Sequence, residues 1–376
     1  MSYQRRLKAL VTGGAGFIGS FVAKRLLEEG YQVRVLDCLD PQVHYPSAFP
    51  TLPESVELIV GDIRDRHTLK RGLDGVSVLI HAASAVGVGQ SMYRVHHYAD
   101  VNVGGTALLL ELIAEQPGLK KLIVLTSMTS YGEGLYRRPS DGELLRVPVR
   151  TEEEIKSFGW EPVCPETRES LSPVPIPESA ALMARNVYAL TKKAQEELSL
   201  SIGEVYRLPV VCLRLFNVYG PGQSLTNPYT GVLAIFLSRL LSGRSPTLYE
   251  DGLQTRDFVS VHDVVEAIMR VLGTDAADGR VLNIGSGQAR SIMECAERLI
   301  GLTDSTMMPE VTGRFRTGDI RHCTADISLA RKLIGYSPSV QWEDGLAELV
   351  SWAQTVHWKD SFEEAHLELE RRGLVT

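Results

Sequence analysis

Residues 7–37 read LKALVTGGAGFIGSFVAKRLLEEGYQVRVLD, and this stretch decides the fold. The apolar run Leu7–Thr12 predicts a strand, Phe17–Glu29 predicts a helix, and a glycine-rich turn joins them. Glycines there permit a tight bend, let backbone N–H groups approach a phosphate, and let the helix pack closely on the strand, while the helix N-terminus favours negative charge. The stretch therefore predicts a site for the pyrophosphate of a dinucleotide. The residues that would form it are Gly13, Gly16, Phe17, Ile18 and Gly19.

An acidic residue, Asp37, ends the second predicted strand, Val33–Asp37. A carboxylate at this position can accept hydrogen bonds from an adenosine ribose and repels a 2′-phosphate, so we expect NAD rather than NADP. Taken alone, Asp37 has an alternative interpretation as an ordinary turn aspartate at a strand end. The agreement of strand, glycine turn, helix and acid favours the dinucleotide site.

Short apolar runs alternate with helical patterns from residue 7 to about residue 214. Strands that alternate with helices form βαβ units, and runs such as Leu122–Leu125 have the continuous apolar character of parallel strands covered on both faces. We therefore predict an α/β fold, a Rossmann-type doubly wound parallel sheet with a smaller C-terminal α/β substrate-binding domain. We assign residues 1–214 to the NAD-binding Rossmann domain. Residues 215–376 form mainly the second domain, with some strands or helices returning to the core.

One segment interrupts the alternation. Residues from about 133 to 184 are rich in proline and charge, which suits a long surface excursion better than a core helix. We interpret this segment as a surface insertion in the first domain. Beyond it, helical patterns lie near 229–241, 261–271, 290–300 and 342–370.

The composition excludes several classes of protein. The 46 acidic residues outnumber the 39 Lys plus Arg, giving a formal charge of −7, so we expect no nucleic-acid partner. No apolar run approaches the length of a membrane span, so we expect no membrane association. The 5 cysteines are odd in number and scattered, which favours reduced thiols and a cytoplasmic location. The histidines and cysteines lack the spacing of metal ligands, so we expect no bound metal.

Two groups of residues carry candidate catalytic chemistry. Tyr188 and Lys192 lie at the start of a predicted helix, and their i, i+4 spacing puts both side chains on one face. A phenol is a weak base at neutral pH unless a neighbouring cation such as Lys192 favours the phenolate. Ser127 follows an apolar strand, at the end where ligands meet a parallel sheet. Each feature alone has a simpler explanation, a solvated helix face for the pair and a turn cap for the serine.

Further motifs occur in a fixed order along the chain. They are Gly61-Asp62-Ile63, His81-Ala82-Ala83-Ser84, Val101-Asn102-Val103-Gly104-Gly105-Thr106 and the segment Arg214–Gly222. With the glycine turn, Ser127 and the Tyr188/Lys192 pair, they make the sequence resemble the extended short-chain dehydrogenase/reductases over about residues 7–350, specifically the NAD-dependent nucleotide-sugar epimerase/dehydratase family. The resemblance implies a catalytic set of Ser127, Tyr188 and Lys192. It also implies NAD contacts from Gly13, Gly16, Phe17, Ile18, Gly19, Asp37, Asp62, Ile63, Ala82, Ala83, Ser84, Asn102, Tyr188 and Lys192.

The same resemblance implies a nucleotide-diphosphate sugar as the substrate. Arg256 and Arg316 lie in segments that resemble the family's diphosphate-binding segments, and Asn217 is expected on the opposite side of the diphosphate. Guanidinium groups suit phosphate oxygens because they donate two parallel hydrogen bonds. Val86 and Ser127 are expected beside the sugar. The second domain is thereby expected to be mainly the nucleotide-sugar-binding domain.

The reaction type is indicated by the neighbours of Ser127. Met128 and Thr129 stand where the family's 4,6-dehydratases carry an Asp-Glu pair, and Ala85–Ser91 resembles the equivalent region of sugar 4-epimerases. Within that group, Tyr131–Gly134, the long insertion and Pro173–Glu178 most resemble the dTDP-L-rhamnose 4-epimerase type. We therefore predict an NAD-dependent nucleotide-sugar 4-epimerase that works through a transient 4-keto intermediate in cell-surface polysaccharide biosynthesis. A dTDP-6-deoxyhexose is the candidate substrate, and a homodimer is expected from the resemblance.

Two alternatives stay open at this point. A dehydratase, reductase or synthase of the same family would share the motifs but release a keto or reduced product. A non-catalytic dinucleotide-sensing protein would share the fold, but it has little need for Ser127, Tyr188 and Lys192 together. The sequence leaves the sugar and the nucleotide open.

Overall fold

The computed structural model describes residues 7–44, 52–115, 118–229, 231–316 and 318–375. Its first part alternates strands with helices, as the apolar pattern predicts. In chain order these elements are β1 (Lys8–Thr12), α1 (Phe17–Glu28), β2 (Gln32–Asp37), β3 (Glu57–Val60), α2 (Arg66–Leu73), β4 (Val78–His81), α3 (Val88–Ser91), α4 (Val95–Tyr98), α5 (Gly105–Ala114) and β5 (Lys121–Ser127). Two irregular pieces accompany them, a π-helical segment at Ala99–Gly104 and a 3₁₀ turn at Met128–Tyr131.

The segment interpreted as an insertion forms a small layer of its own. Its elements are β6 (Leu135–Arg137), β7 (Leu144–Arg146), α6 (Glu152–Phe158) and β8 (Ser172–Val174). Strand β6 pairs antiparallel with both β7 and β8. Beneath this sheet, Tyr136, Val147, Cys164 and Leu171 form a separate small core.

The rest of the chain begins with a long helix and then becomes more mixed. In order its elements are α7 (Val187–Tyr206), β9 (Val210–Leu215), β10 (Asn217–Tyr219), α8 (Val232–Leu241), β11 (Thr247–Leu248), β12 (Thr255–Ser260), α9 (Val261–Leu272), β13 (Arg280–Ile284), β14 (Ala289–Ser291), α10 (Ile292–Leu302), β15 (Glu310–Val311), β16 (His322–Cys323), α11 (Ser328–Ile334), α12 (Trp342–Ala353) and α13 (Phe362–Arg371). The pattern predicted over 342–370 is thus two helices.

A seven-stranded sheet forms the centre, in the order β13-β9-β5-β4-β1-β2-β3. All of its neighbouring strands run parallel. Leu10 of β1 lies opposite Arg34 of β2 on one side and Leu79 of β4 on the other. The strand order therefore reverses between β1 and β4, and at such a point the loops after the strands separate and leave a crevice.

Successive residues of β1 point to opposite faces of the sheet, and each face is covered by helices. Val11 packs in the core that includes Val22 of α1 and Ile268 of α9, while Leu10 packs in the core that includes Leu69 of α2 and the leucines of α5. These β1 side chains are fully buried. Burial on both faces explains why the strands are apolar without alternation.

The second half of the chain forms its own sheets and helices and also adds strands to the central sheet. Strands β10, β12, β14 and β16 form a four-stranded sheet, β11 pairs with β15, and helices α8, α10 and α12 share another core. Strand β13, by contrast, joins the central sheet beside β9. Within the described ranges, no helix is long and apolar enough to cross a membrane, and no cluster of three or more His, Cys, Asp or Glu side chains is placed to hold a metal ion.

Candidate active site

A cleft of about 500 Å³ opens at the carboxyl edge of the central sheet, where the strand order reverses. The loops after β1 to β4, the end of β5, the first turns of α7 and the segments after β9 and β10 line it. It brings together most of the residues predicted from the sequence, namely Gly13, Gly16, Phe17, Ile18, Gly19, Asp37, Asp62, Ile63, Ala82, Ala83, Ser84, Val86, Ser127, Tyr188, Lys192 and Asn217.

The glycine turn is fitted tightly between β1, β4 and α1. Gly13 has a φ of +68°, and a Cβ on it would lie 2.7 Å from the backbone N of Ala83. A Cβ on Gly19 would lie 2.2 Å from the carbonyl oxygen of Gly13. Helix α1 begins at Phe17 without a side-chain cap, so its first N–H groups remain available to a phosphate. Only glycine permits this cradle.

Asp37 is held by groups on both sides of it. Its carboxylate accepts hydrogen bonds from the N–H groups of Ala15 (3.0 Å) and Leu39 (2.9 Å), and Nε2 of His44 lies 3.4 Å from Oδ1. Burial raises the pKa of Asp37, but these hydrogen bonds outweigh burial and hold its pKa below the ordinary value. The ionised carboxylate at the end of β2 suits ribose hydroxyls and repels a 2′-phosphate.

Asp62 and Ile63 close the side of the cleft that lies after β3. The Asp62 carboxylate pairs with Arg64 at 2.6 Å, and the hydrogen bond from Arg64 lowers the pKa of Asp62. Ile63 is buried against Gly105, where a Cβ would lie 2.6 Å from the Ile63 side chain. These residues form the wall of the cleft on the side of β3.

Asn102 does not line the cleft but fixes two segments that do. It lies in the π-helical segment and is fully buried. Its amide Nδ2 donates to the carbonyl of Ala85 (3.0 Å) and to the Thr191 hydroxyl (2.9 Å), while its Oδ1 accepts from Ala85 N (2.7 Å) and Ser84 Oγ (3.0 Å). One side chain thus ties the loop after β4 to helix α7, next to Tyr188. π-Helical turns are frequent at functional sites.

The catalytic set predicted from the sequence comes together at the end of β5. Tyr188 is the second residue of α7, whose first turn is capped by Asn186, and Lys192 follows one turn later. The Lys192 ammonium group donates to the carbonyl of Leu125 (2.7 Å) and lies 3.4 Å from Ser84 Oγ. Ser127 ends β5 and its Oγ accepts a hydrogen bond from the Thr129 hydroxyl (3.0 Å).

Burial dominates the electrostatics of this set. It raises the pKa of Tyr188 to about 12, against a lowering by a hydrogen bond with the Ser127 hydroxyl. It lowers the pKa of Lys192 to about 7. Both shifts disfavour the charged form, as desolvation does. The phenol and the amine are therefore responsive to a further charge placed beside them, a property typical of functional groups.

The residues predicted to bind substrate fall into two groups. Val86, Ser127 and Asn217 line the cleft, and the buried Oδ1 of Asn217 has no hydrogen-bond partner in the described part of the chain. Arg256 and Arg316 are not among the residues of the cleft lining. Arg256 donates to the carbonyls of Thr255, Ile320 and Arg321 and to the Asp319 carboxylate, and the Arg316 guanidinium lies 4.3 Å from the centre of the Tyr249 ring.

The cleft also contains polar residues that the sequence analysis did not single out. Gln42, Gln90 and Asn227 line it, and Gln42 contacts the other two. They follow β2, β4 and β10, so their position after strand ends was the available signal. Nothing in the local sequence indicated that three separate loops meet.

Comparison with known proteins bears on what such a cleft does. The sequence profile of the NAD dependent epimerase/dehydratase family matches residues 9–154 and 166–285. The chain belongs to this family. As expected of a family member, it has a glycine cradle, an ionised acid at the end of β2 and a Tyr-Lys pair at the far end of the cleft, a set that fits NAD. The predictions of the family, of the Rossmann-type fold and of NAD as cofactor are confirmed.

Individual members of the family are similar over nearly their whole length. A dTDP-L-rhamnose 4-epimerase of Burkholderia thailandensis is 37% identical over 353 residues, which cover 92% of this chain and 94% of that protein. A UDP-glucose 4-epimerase of Thermotoga maritima, solved with UDP-glucose, has a TM-score of 0.76 at 27% identity and covers 93% of this chain and 99% of its own. A UDP-glucose 4-epimerase of Thermus thermophilus, solved with NAD, has a TM-score of 0.71 at 28% identity with the same coverages of 93% and 99%.

Proposed function

We propose that this NAD-dependent enzyme is a nucleotide-sugar 4-epimerase, with a dTDP-6-deoxyhexose as its substrate. The observation that carries the proposal is the meeting of Ser127, Tyr188 and Lys192 at one end of an NAD-sized cleft. Similarity to the Burkholderia thailandensis dTDP-L-rhamnose 4-epimerase supports the choice of reaction and sugar. A non-catalytic dinucleotide sensor would not need the three groups in this arrangement.

In the proposed reaction, Tyr188 acts as a phenolate and removes the proton of the sugar C4 hydroxyl, while Ser127 donates a hydrogen bond to the same oxygen as it becomes a carbonyl. NAD, when bound, supplies the acceptor that takes the C4 hydride and later returns it. The configuration at C4 is inverted when the 4-keto sugar presents its other face to the cofactor while its diphosphate stays anchored. Tyr188 then returns the proton to the oxygen.

The charges of the site suit this role for Tyr188. Burial holds the pKa of the phenol at about 12, so a phenolate requires a cation nearby. Lys192, one turn after Tyr188 in α7, favours the phenolate when it is protonated. The positive charge of a bound oxidised nicotinamide would favour it further.

The absence of a second acid-base pair beside Ser127 favours epimerisation over dehydration. Elimination of water from the sugar needs a general acid and base near the reacting carbons. Met128 is buried, and the Thr129 hydroxyl bonds to Ser127. The acidic residues of the described cleft lining follow β2 and β3, away from the end of β5.

We further propose that Asn217, Arg256 and Arg316 anchor the diphosphate. The cleft-facing position of Asn217 supports this for one side of the diphosphate. On the other side, a phosphate oxygen would replace the Asp319 carboxylate, which is 3.1 Å from Arg256 and partly exposed. An Arg256→Ala variant should bind nucleotide sugar more weakly while it still binds NAD. Unchanged affinity for the sugar would place the anion site elsewhere.

The experiment that tests the reaction is incubation of the purified protein with dTDP-, UDP- and GDP-sugars without added reductant. The products are analysed by NMR for the C4 configuration and by mass spectrometry. An isomer of unchanged mass supports the epimerase, whereas loss of water or a requirement for NADH identifies a dehydratase or reductase. Tyr188→Phe should abolish turnover with NAD still bound. Tyr206→Phe, on the exposed end of the same helix, is the matched control and should remain active.

We also propose that the enzyme is a homodimer of the cytoplasm. Helix α7 exposes Leu190 (51%), Leu198 (36%) and Val205 (71%), which helical periodicity puts on one face, and an apolar face of this kind suits a second copy of the chain. The free cysteines support a reducing compartment. Light scattering should give twice the chain mass, and Leu198→Glu should give a monomer. A monomeric wild-type protein would refute the dimer.

A further inference from the structure

The segment after β2 lines the cleft. We name residues 40–44 the strap. Its turn is formed by Asp40, whose side chain accepts from Gln42 N (2.8 Å) and whose carbonyl accepts from Val43 N (3.0 Å) and His44 N (2.9 Å). At its far end, His44 lies against the Asp37 carboxylate at 3.4 Å. The strap is therefore a compact loop that is attached at the adenosine end of the cleft.

Gln42 joins the strap to two other loops. Its Nε2 is shared between Oε1 of Gln90 (3.3 Å) and Oδ1 of Asn227 (3.4 Å), and its own Oε1 accepts a hydrogen bond from Gln90 Nε2 (2.9 Å). Gln90 lies in α3, and Asn227 follows β10. We name these three side chains the amide bridge. All three line the cleft.

The two partners of Gln42 are themselves fixed. The Oε1 of Gln90 also accepts from the hydroxyl of Tyr98 (3.1 Å), a fully buried residue, and the Oδ1 of Asn227 also accepts from Tyr229 N (3.0 Å). Gln90 and Asn227 are each 7% exposed. Because these two amides are buried and held, Gln42 on the strap is the member that can move.

The amide bridge links the two ends of the cofactor site. Through His44 the strap contacts Asp37, where the ribose of the adenosine is expected. The neighbour of Gln90, Ser91, accepts a hydrogen bond from the backbone N–H of Tyr188 at 3.0 Å, at the start of the catalytic helix. A dinucleotide that extends from Asp37 to Tyr188 would occupy the cleft that the glycine turn and the bridge both line.

We propose that the amide bridge is a latch that closes the strap over bound NAD and sets the rate at which the cofactor leaves. NAD cannot pass from the cleft while Gln42 contacts both Gln90 and Asn227. Slow release suits an enzyme that regenerates its NAD in every cycle, and this benefit rests on the proposed epimerase function. The latch itself requires only that the enzyme binds NAD.

The test measures NAD release from the holoprotein in the absence of any sugar. The protein is loaded with NAD, freed of excess cofactor and mixed with an enzyme that consumes free NAD, so that the rate of consumption reports release. Gln42→Ala removes the donor and the acceptor of the bridge and should speed release about tenfold, the effect of about one to two hydrogen bonds. Gln354→Ala, at an exposed position after α12, is the matched control and should release NAD at the wild-type rate.

A second variant keeps the size of the side chain. Gln42→Glu still accepts from Gln90 Nε2, but it places a negative charge against the oxygens of Gln90 and Asn227. It should release NAD at least as fast as Gln42→Ala. Because the side chain is not truncated, fast release by this variant is not explained by a folding defect that truncation causes. Wild-type release rates in both Gln42 variants would overturn the latch.

A double variant tests whether the two loops act through the same contact. Asn227→Ala should speed release in the wild-type background and have less effect when Gln42 is already alanine, because the shared hydrogen bond is then absent. Fully additive effects would overturn the bridge between Gln42 and Asn227. Because no sugar is present, failure of the epimerase proposal would leave these release rates unchanged and is detected separately by the NMR assay.

Discussion

The strongest prediction about stability concerns Arg321, a fully buried arginine between the insertion and the second domain. Its guanidinium contacts three carboxylates, those of Glu161 (2.9 Å), Glu250 (2.8 Å) and Asp251 (2.7 Å). Glu161 belongs to the insertion, whereas the other two precede β12. Arg321→Met keeps much of the volume but removes the charge that holds these segments together.

The expected loss in the free energy of unfolding depends on the partners and the solvent exposure that the three carboxylates keep. Removal of one partner from a buried ion pair costs about 3–5 kcal/mol because the other charge is left without compensation. Glu250, with a side chain only 3% exposed, keeps a second cation in Arg150 at 2.9 Å. The Glu161 and Asp251 side chains are 45% and 30% exposed, so water can solvate them. We therefore expect the lower end of the range, about 3 kcal/mol.

The assay is equilibrium unfolding in urea, followed by circular dichroism. Arg66→Met is the matched control because Arg66 pairs with Glu111 and Glu115 on the surface, where such pairs contribute less than about 1 kcal/mol. Arg150→Met should cost more in the Arg321→Met background than in the wild type, since Glu250 then loses both cations that the described structure places against it. A loss for Arg321→Met as small as that for Arg66→Met would refute the reasoning.

Three further predictions concern the cofactor site. Gly19→Ala should abolish NAD binding in a fluorescence titration, because its Cβ would lie 2.2 Å from the Gly13 carbonyl oxygen. Gly301→Ala, with open space around it, is the control and should bind NAD normally. Tight NAD binding by Gly19→Ala would contradict the claim that the turn has no room for a Cβ. The free energy of unfolding of NAD-free protein should rise between about pH 7 and pH 10, since burial lowers the pKa of Lys192 to about 7 and the unfolded chain then binds more protons than the folded one. Lys192→Met should flatten that rise, and an equal slope in both proteins would remove Lys192 as its cause. Asp37→Asn should raise the affinity for NADP relative to NAD in competition binding, because the charge that repels a 2′-phosphate is gone; an unchanged preference would mean that another group selects the cofactor.

Much of the fold and cofactor site follows from local rules. The glycines between Leu7–Thr12 and Phe17–Glu29 predict the backbone conformation of the turn, because only glycine tolerates the close contacts at these positions. The spacing of Tyr188 and Lys192 predicts a shared helix face, which α7 confirms. Continuous apolar runs predicted the parallel strands, since both faces of such a sheet are covered.

Other features depend on segments that are distant in the chain. Strand β13 enters the central sheet from the second half of the chain, and its short run Arg280–Ile284 has no local sign of the partner it takes. Arg256 and Arg316 lie outside the cleft lining because nearby carbonyls and Tyr249 hold their guanidinium groups, contacts that motif order does not describe. The role of these arginines toward substrate stays a prediction.

The sequence by itself determined the fold class and the cofactor of this protein and predicted its catalytic side chains, because each rests on a backbone conformation or a spacing within a few residues. Only the tertiary structure decided that Gln42, Gln90 and Asn227 meet across the cleft and that Arg321 joins the insertion to the second domain. These contacts join loops far apart in the chain. Their energies depend on burial and on simultaneous hydrogen bonds that exist only after the sheet has brought the loops together.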